Sequence, residues 1–155
     1  MKNRLLRKFM IVFILSILGM ALLSLTGKRP TNIGVRGGSL APVPDSPNAV
    51  ATFAEKESQK MQPIKMSRMS DGQMIEQIRE VIESMPRSKV IKANDNYLYA
   101  EFRSLIFRFT DDVEFLVDET EGLVHFRSAS RVGHSDLGKN RSRMEAIVTQ
   151  LSGQQ

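Results

Sequence analysis

Ten polar side chains between positions 101 and 141 have types and spacing that could support chemistry. Alternation along the predicted strands places Glu101 and Arg103 on the same side of a sheet as Asp112, Glu114 and Arg127. Arginines beside carboxylates and near a helix start can bind a carboxylate or phosphate, or position an acid and a base. The simpler interpretation is opposite charges pairing across a solvated sheet face, each pair contributing about 0.2–1 kcal/mol. The candidate set is Glu101, Arg103, Asp111, Asp112, Glu114, Arg127, Arg131, Asp136, Asn140 and Arg141.

Asp111 and Asp112 are adjacent in a predicted strand, so their side chains point to opposite faces and cannot act as a carboxylate dyad. One of them points toward the covered face, where an unpaired charge is too unfavourable to persist. We expect Arg131 or Arg141 to reach it from the strand end, as a structural ion pair.

Recognisable catalytic and metal-binding motifs are missing from the chain. It has no cysteine, hence no thiolate nucleophile or cysteine metal site. Ser128 and Ser130 lack a GxSxG elbow, and no HExxH, EF-hand or glycine-rich phosphate loop occurs. We therefore predict no catalytic residue, no metal and no cofactor, with an enzyme left open as the less favoured alternative.

The basic net charge of +5 lies at one end of the chain. Six of the 22 basic residues, and no acidic residue, fall within the first 29 positions, which leaves 16 basic against 17 acidic residues beyond them. A near-neutral domain lacks the basic surface that tracks phosphates, so nucleic-acid binding is not expected.

Residues 9–25 form an uncharged apolar run, preceded by Lys2, Arg4, Arg7 and Lys8. This is the pattern of a signal peptide or of a transmembrane signal anchor. The 17 residues span about 25 Å as a helix, and no small-x-small cleavage site follows, so we favour the anchor. The positive-inside rule then predicts a single-pass protein of the cytoplasmic membrane, with its C-terminal domain on the periplasmic or extracytoplasmic side.

Residues 26–48 hold four of the ten glycines and four of the six prolines, which predicts an extended, turn-rich segment. Its interspersed apolar residues favour a strap packed on the domain over a free linker. Residues 53–68 are predicted to be a loop or a frayed helix. Apolar residues at helical spacing from Met74 to Met85, with a Ser70/Gln73 capping box and Pro86 after them, predict an amphipathic helix.

Beyond Pro86 the apolar period changes to two, which predicts two β-hairpins. Their strands are expected at 89–93, 97–104, 106–118 and 123–131. A final helix is predicted after Gly133, capped by Ser135 or Asp136, with an apolar stripe that begins at Leu137. Helix, four antiparallel strands and helix predict an α+β, two-layer domain with both helices on one sheet face.

Three stretches, RPTNIGVRGGSLAPVPDSPNAV, YLYAEFRSLIFRFTDDVEFLVD and RSASRVGHSDLGKNRSRMEAI, resemble the domain of unknown function 1499 family. The resemblance runs from Arg29 to about Ile147. It implies no established activity. The family pattern has two cysteines where this chain has Val43 and Ala49, so no thiol, disulfide or metal role can be transferred to that loop.

The expected organisation has three parts: a basic tip and signal anchor (1–27), a proline- and glycine-rich strap and loop (28–69), and an α+β domain (70–155). The expected function is a membrane-anchored, non-enzymatic interaction or binding module of the cell envelope, with a protein partner there. The alternative is a small-anion-binding domain or an enzyme that uses the arginine and carboxylate cluster.

Overall fold

A computed structural model describes residues 2–66 and 69–153, with the side chains of residues 2 and 3 left out. The predictions made for the Lys2 side chain and for Arg68 fall outside this part. The helices are α1 (Lys2–Leu25), α2 (Asp71–Ser84) and α3 (Lys139–Ser152). The strands are β1 (Val35–Arg36), β2 (Ser39–Leu40), β3 (Ala49–Ala51), β4 (Ile64–Lys65), β5 (Ser88–Ala93), β6 (Tyr97–Arg103), β7 (Thr110–Asp118) and β8 (Leu123–Ser130).

Six strands form one antiparallel sheet in the order β3-β8-β7-β6-β5, with β4 also pairing with β8. β1 and β2 form a separate small hairpin. The predicted α+β class is confirmed. The four predicted strands are the neighbouring strands β8, β7, β6 and β5, with β5 at one edge of the sheet. Four strands were not foreseen, because β1, β2, β3 and β4 are each two or three residues long and too short to show a period of two.

α1 is an apolar helix that is not packed against the sheet. Arg4–Leu25 has a mean hydropathy of 2.3 and is 0% buried, so it is long and apolar enough to span a membrane. An N-terminal signal sequence can meet the same criteria of length and hydropathy, so these criteria alone do not separate it from an anchor.

α2 begins as the sequence predicts. The Ser70 side chain accepts from the Gln73 backbone N–H, and the Gln73 side chain accepts from the Ser70 backbone N–H, which completes the capping box. Met74, Ile75, Ile78, Val81 and Ile82 are buried along one face. They pack with α3 residues Met144, Ile147 and Leu151 against the inner sheet face, which carries Leu98, Val113, Phe115 and Phe126.

The start of α3 corrects the prediction. Its N-cap is Gly138, with φ 76°, in place of Ser135 or Asp136. Leu137 is 89% exposed and contributes nothing to the buried stripe. Asp136 still acts on the helix from outside it, because its carboxylate accepts from the Gly138 N–H (3.0 Å) and the Asn140 N–H (2.6 Å).

Two further boundaries differ from the prediction. β7 begins at Thr110, so residues 104–109 form a loop. The apolar residues of this loop were predicted to belong to the strand at 106–118. Residues 53–66 contain turns and β4 and no helix, which decides between the loop and the frayed helix for that part.

Candidate functional site

The outer face of the sheet holds most of the candidate residues. A solvated face was expected, but the structure buries it. Tyr97, Tyr99, Glu101, Asp112 and Glu114 are each at most 5% exposed. Residues 26–48, which we call the strap, lie across them. Leu40 of the strap packs on Tyr97, Tyr99 and Leu116, so the strap is packed against the domain. The outer face is therefore a second core, made of polar groups.

Arg131 is the centre of this polar core. Its guanidinium donates to Asp112 Oδ1 (2.7 Å), Asp112 Oδ2 (3.0 Å) and Glu101 Oε1 (2.5 Å). It also donates to the Tyr99 hydroxyl (3.1 Å), which itself donates to Asp112 Oδ1 (2.6 Å). The hydrogen bonds to Asp112 raise the pKa of Arg131, and burial together with the Asp112 bond raises the pKa of Tyr99. One arginine thus holds two carboxylates from adjacent strands.

Glu101 joins this core to the strap. Arg29 Nη2 donates to Glu101 Oε1 (2.6 Å), and the Arg29 guanidinium lies 5.4 Å from the Tyr99 ring centroid. Burial by itself raises the pKa of Glu101, but the hydrogen bonds from Arg29 and Arg131 outweigh it and lower that pKa to about 2. Glu101 is therefore ionised throughout the physiological pH range.

Glu114 holds a second point of the strap. Its Oε1 accepts from the Gly34 N–H (2.6 Å) and from the Tyr97 hydroxyl (2.6 Å). Its Oε2 lies 3.4 Å from Arg127 Nε as an ion pair, while Arg127 Nη1 donates to the Ala41 carbonyl (3.1 Å). Neither Oε2 nor Nε has a hydrogen-bond partner among the described residues, although both are buried.

Asp111 corrects the predicted ion pair. It points to the helix face, as one of the two aspartates had to, but its partner is Arg143 of α3, at 2.5 Å. Arg131 extends from the end of β8 on the other face and binds Asp112. The helical period puts Arg143 toward the sheet, where its guanidinium also lies 4.7 Å from the Phe102 ring centroid.

The remaining candidates do not join the polar core. Arg103 is half exposed, 3.8 Å from Glu101 Oε2. Arg141 donates to the carbonyls of Ser58 and Lys60. Asn140 is buried on the helix side, where its side chain bonds Ser128, Ser130 and the Asn48 carbonyl.

A cavity of about 410 Å³ opens between the strap and the edge of the polar core. Arg127, Arg131 and Asp112 line it from the sheet side, and Pro42–Pro44, Ser46 and Asn48 line it from the strap. Val43, which stands where the resembled family has a cysteine, is among these residues. The cavity therefore combines buried cationic groups with an apolar loop.

Only one group of metal-ligating side chains stands out in the described part of the chain. Asp118, Glu121 and His125 place one ligand atom each within 4.8 Å of one another. Nδ1 of His125 is bonded to Thr52 Oγ1 (3.0 Å), which leaves Nε2 for an ion. The group borders a second cavity, of about 560 Å³.

Reasoning from sequence missed four residues of the polar core: Arg29, Gly34, Tyr97 and Tyr99. Strand alternation places both tyrosines on the same side as Glu101, but they were not included in the candidate set. Arg29 was counted with the basic membrane flank, and nothing local pairs it with a glutamate 72 positions away. A buried charge without a partner is strongly unfavourable. If the outer face had been predicted to be covered, each charge on it would have been expected to have a partner.

These features define a class of protein: an α+β domain with an internal polar core, joined to an N-terminal apolar helix. The model of the family described as a protein of unknown function (DUF1499) matches residues 39–151. The chain belongs to this family. No curated protein and no solved structure matches this chain. The matched part includes Glu101, Asp112, Glu114, Arg127 and Arg131, while Arg29 and Gly34 precede it.

Proposed function

We propose that the protein is a membrane-tethered, non-enzymatic binding module of the cell envelope, with its domain on the extracytoplasmic side. α1 is the tether, and the charge asymmetry around it sets the orientation. The partner is expected to be another envelope protein.

The ionised, paired state of Glu101 carries the non-enzymatic part of the proposal. A general acid or base works best when its pKa lies near the operating pH. Glu101 has a pKa of about 2, and the carboxylates of Asp112 and Glu114 are each bound by an arginine and a tyrosine. Groups held in this way position the strap, and Glu101 does not act as a proton donor or acceptor at neutral pH.

The tether and its orientation are tested together by reporter fusions. Alkaline phosphatase fused after Gln155 should be active, and a reporter that works only in the cytoplasm should be silent at the same position. The reverse pattern would overturn the orientation. Amino-terminal sequencing that begins near Gly27 would replace the anchor by a cleaved signal peptide.

Binding of a small anion in the strap cavity is the second candidate function. Arg127 is 2% exposed and lines that cavity, and its Nε has no hydrogen-bond partner in the described residues. A buried guanidinium with spare donors is suited to a carboxylate or phosphate. The cavity volume of about 410 Å³ is within the usual range of small-ligand sites.

Inorganic phosphate and citrate are suitable probes, with calorimetry on the full chain in detergent. Asn32 lines the cavity and makes none of the ion pairs of the core, so Asn32→Asp adds a negative charge there without breaking them. It should abolish anion binding, whereas Asn96→Asp, at the opposite end of the domain, should leave it unchanged. Equal heats for both variants, or none from the wild type, would reject an anion site. Purification from membranes with mass spectrometry of proteins and small molecules would then identify which kind of partner is held.

A further inference from the structure

The end of the domain that α1 joins differs from the other end. Four residues after α1, Arg29 is bonded to Glu101, two residues before the end of β6. Four extended residues reach at most about 14 Å, so this end of the sheet lies close to the end of α1. The loop at 104–109 and the segment at 131–138 lie at the same end, because Arg131 N–H donates to the Thr110 carbonyl (3.1 Å). We call these two segments, together with residues 87–89, the α1 end.

Apolar side chains project from the α1 end into solvent. In the described part of the chain beyond α1, the three most exposed large hydrophobic residues are Leu105 (72%), Ile106 (77%) and Leu137 (89%). Single exposed leucines are ordinary on a protein surface. Here all three occur at one end, on two different segments, and that end is the one nearest the apolar helix.

Positive charge surrounds these apolar residues. A cavity of about 270 Å³ beside the loop is lined by Arg87, Lys89, Arg103 and Arg108, with Ser88 and Glu101. Glu101 is already neutralised by Arg29 and Arg131. The side chains of Lys89 and Arg108 make no hydrogen bond or ion pair with any described residue. The two turns at the other end, residues 94–96 and 119–122, carry Asp95, Glu119 and Glu121 and no basic residue.

Backbone strain is concentrated at the same end. Across the described residues, the non-glycine positions with positive φ are Arg87 (61°), Arg108 (56°) and Leu137 (56°). Such conformations are unfavourable for L-residues and persist at positions where the surroundings or a function require them. Each of the three either presents an exposed apolar side chain or lines the basic cavity.

We infer that the α1 end docks on the membrane to which α1 tethers the chain, with Leu105, Ile106 and Leu137 in the interfacial layer and Arg87, Lys89, Arg103 and Arg108 on anionic phospholipid headgroups. Apolar tips flanked by cations are the chemistry of interfacial membrane segments. The acidic turns at the opposite end then face away from the bilayer. The inference rests on the proposed tether, and it adds that the domain lies against the lipid instead of standing free of it.

The absence of tryptophan makes this directly measurable. Ile106→Trp places a single indole in the loop, and Thr120→Trp places one in the turn at the opposite end as a matched control. The full-length variants are reconstituted in nanodiscs of phosphatidylcholine and phosphatidylglycerol. Fluorescence is then quenched either by lipids brominated on their acyl chains or by acrylamide in the water.

The expected result is that brominated lipid quenches the Ile106→Trp variant and shifts its emission to the blue, while acrylamide quenches the Thr120→Trp variant. Adding Arg108→Glu to Ile106→Trp should reduce the quenching by brominated lipid, and adding Lys92→Glu should not. Discs of phosphatidylcholine alone should also reduce the quenching of the Ile106→Trp variant by brominated lipid.

The outcomes separate the two proposals. A chain that incorporates into the discs but shows the same acrylamide quenching at both positions overturns docking and leaves the tether intact. Lipid quenching that is insensitive to Arg108→Glu and to phosphatidylglycerol overturns the headgroup contacts. A chain that does not incorporate into the discs overturns the tether and the docking together.

Discussion

The two faces of the central sheet are built from the same strands and have opposite chemistry. On the inner face, Leu98, Val113, Phe115 and Phe126 pack under α2 and α3. On the outer face, alternate residues of those strands are Tyr99, Glu101, Asp112, Glu114 and Arg127, and they lie under the strap. Both faces are buried, so the alternation of a strand does not here separate core from solvent. It separates an apolar core from a polar one.

The two faces are held to their covering elements by different forces: α2 and α3 cover the inner face, and the strap covers the outer face. Helices with an apolar stripe can cover an apolar face through buried area, because the hydrophobic effect is not directional. The strap has few large apolar residues, and it is held by directional bonds to Glu101, Glu114 and Arg127. Polar contacts of this kind fix the strap in one position, because hydrogen bonds form only over a narrow range of distances and angles.

Arg131→Met tests the polar core with the largest expected effect. It removes the arginine shared by Asp112 and Glu101 and leaves Asp112 with a buried negative charge and only Tyr99 as a partner. Breaking a buried ion pair typically destabilises a protein by about 3–5 kcal/mol. Urea unfolding of the full chain in detergent measures it. Arg79 is partly exposed and pairs with Glu76 of the same helix, so Arg79→Met should change stability by less than about 1 kcal/mol. An equally small effect for Arg131→Met would contradict the polar core.

Tyr97→Phe tests the same face without removing a charge. The phenol donates to Glu114 Oε1 at 2.6 Å, and a hydrogen bond to a charged group contributes about 1.5–3 kcal/mol. The ring stays in place against Leu40, so packing is preserved. Thermal unfolding should show the loss. Tyr99→Phe is the matched variant, because it removes a similar hydrogen bond, from the Tyr99 hydroxyl to Asp112.

The packing of the inner face could be predicted from the sequence, and the burial of the outer face under the strap could not. The helical period from Met74 to Met85 and the strand alternation contain the information that positions the apolar core, since burial follows hydrophobicity. Parity also placed Glu101, Asp112, Glu114 and Arg127 together correctly. The strap's contacts were out of reach, because Arg29 and Gly34 are 72 and 80 residues from their partners and no local pattern encodes such a distance. The aspartate on the covered face was expected to pair with Arg131 or Arg141, because the partner was sought at the strand end. The structure pairs Asp111 with Arg143, one turn further along α3 than Lys139.

Acid should weaken the outer face before the inner one. Glu101 has a folded pKa of about 2 against an ordinary value of 4.5, so the unfolded state binds more protons between these values. Its contribution is therefore complete above about pH 4.5 and decreases as pH falls toward 2. Urea midpoints measured across this range should fall with pH in the wild type. In Glu101→Gln the decline should be shallower, and identical slopes would show that Glu101 does not carry the ionic contribution assigned to it.

Ile78→Val gives the smallest effect and completes the comparison from the apolar side. Ile78 is fully buried on α2 among residues of the inner face, and removing one methylene there costs about 0.5–1.5 kcal/mol. No titratable group changes, so the loss should be the same at pH 7 and at pH 3. The loss caused by Glu101→Gln should shrink over the same interval, because the Glu101 carboxylate of the unfolded wild type becomes protonated below about pH 4.5 while that of the folded state stays ionised. Urea unfolding of the wild type and both variants at the two pH values measures the four differences. A pH-dependent loss for Ile78→Val would mean that the two faces are energetically coupled through the sheet, and it would contradict the division of the molecule into an apolar and a polar core.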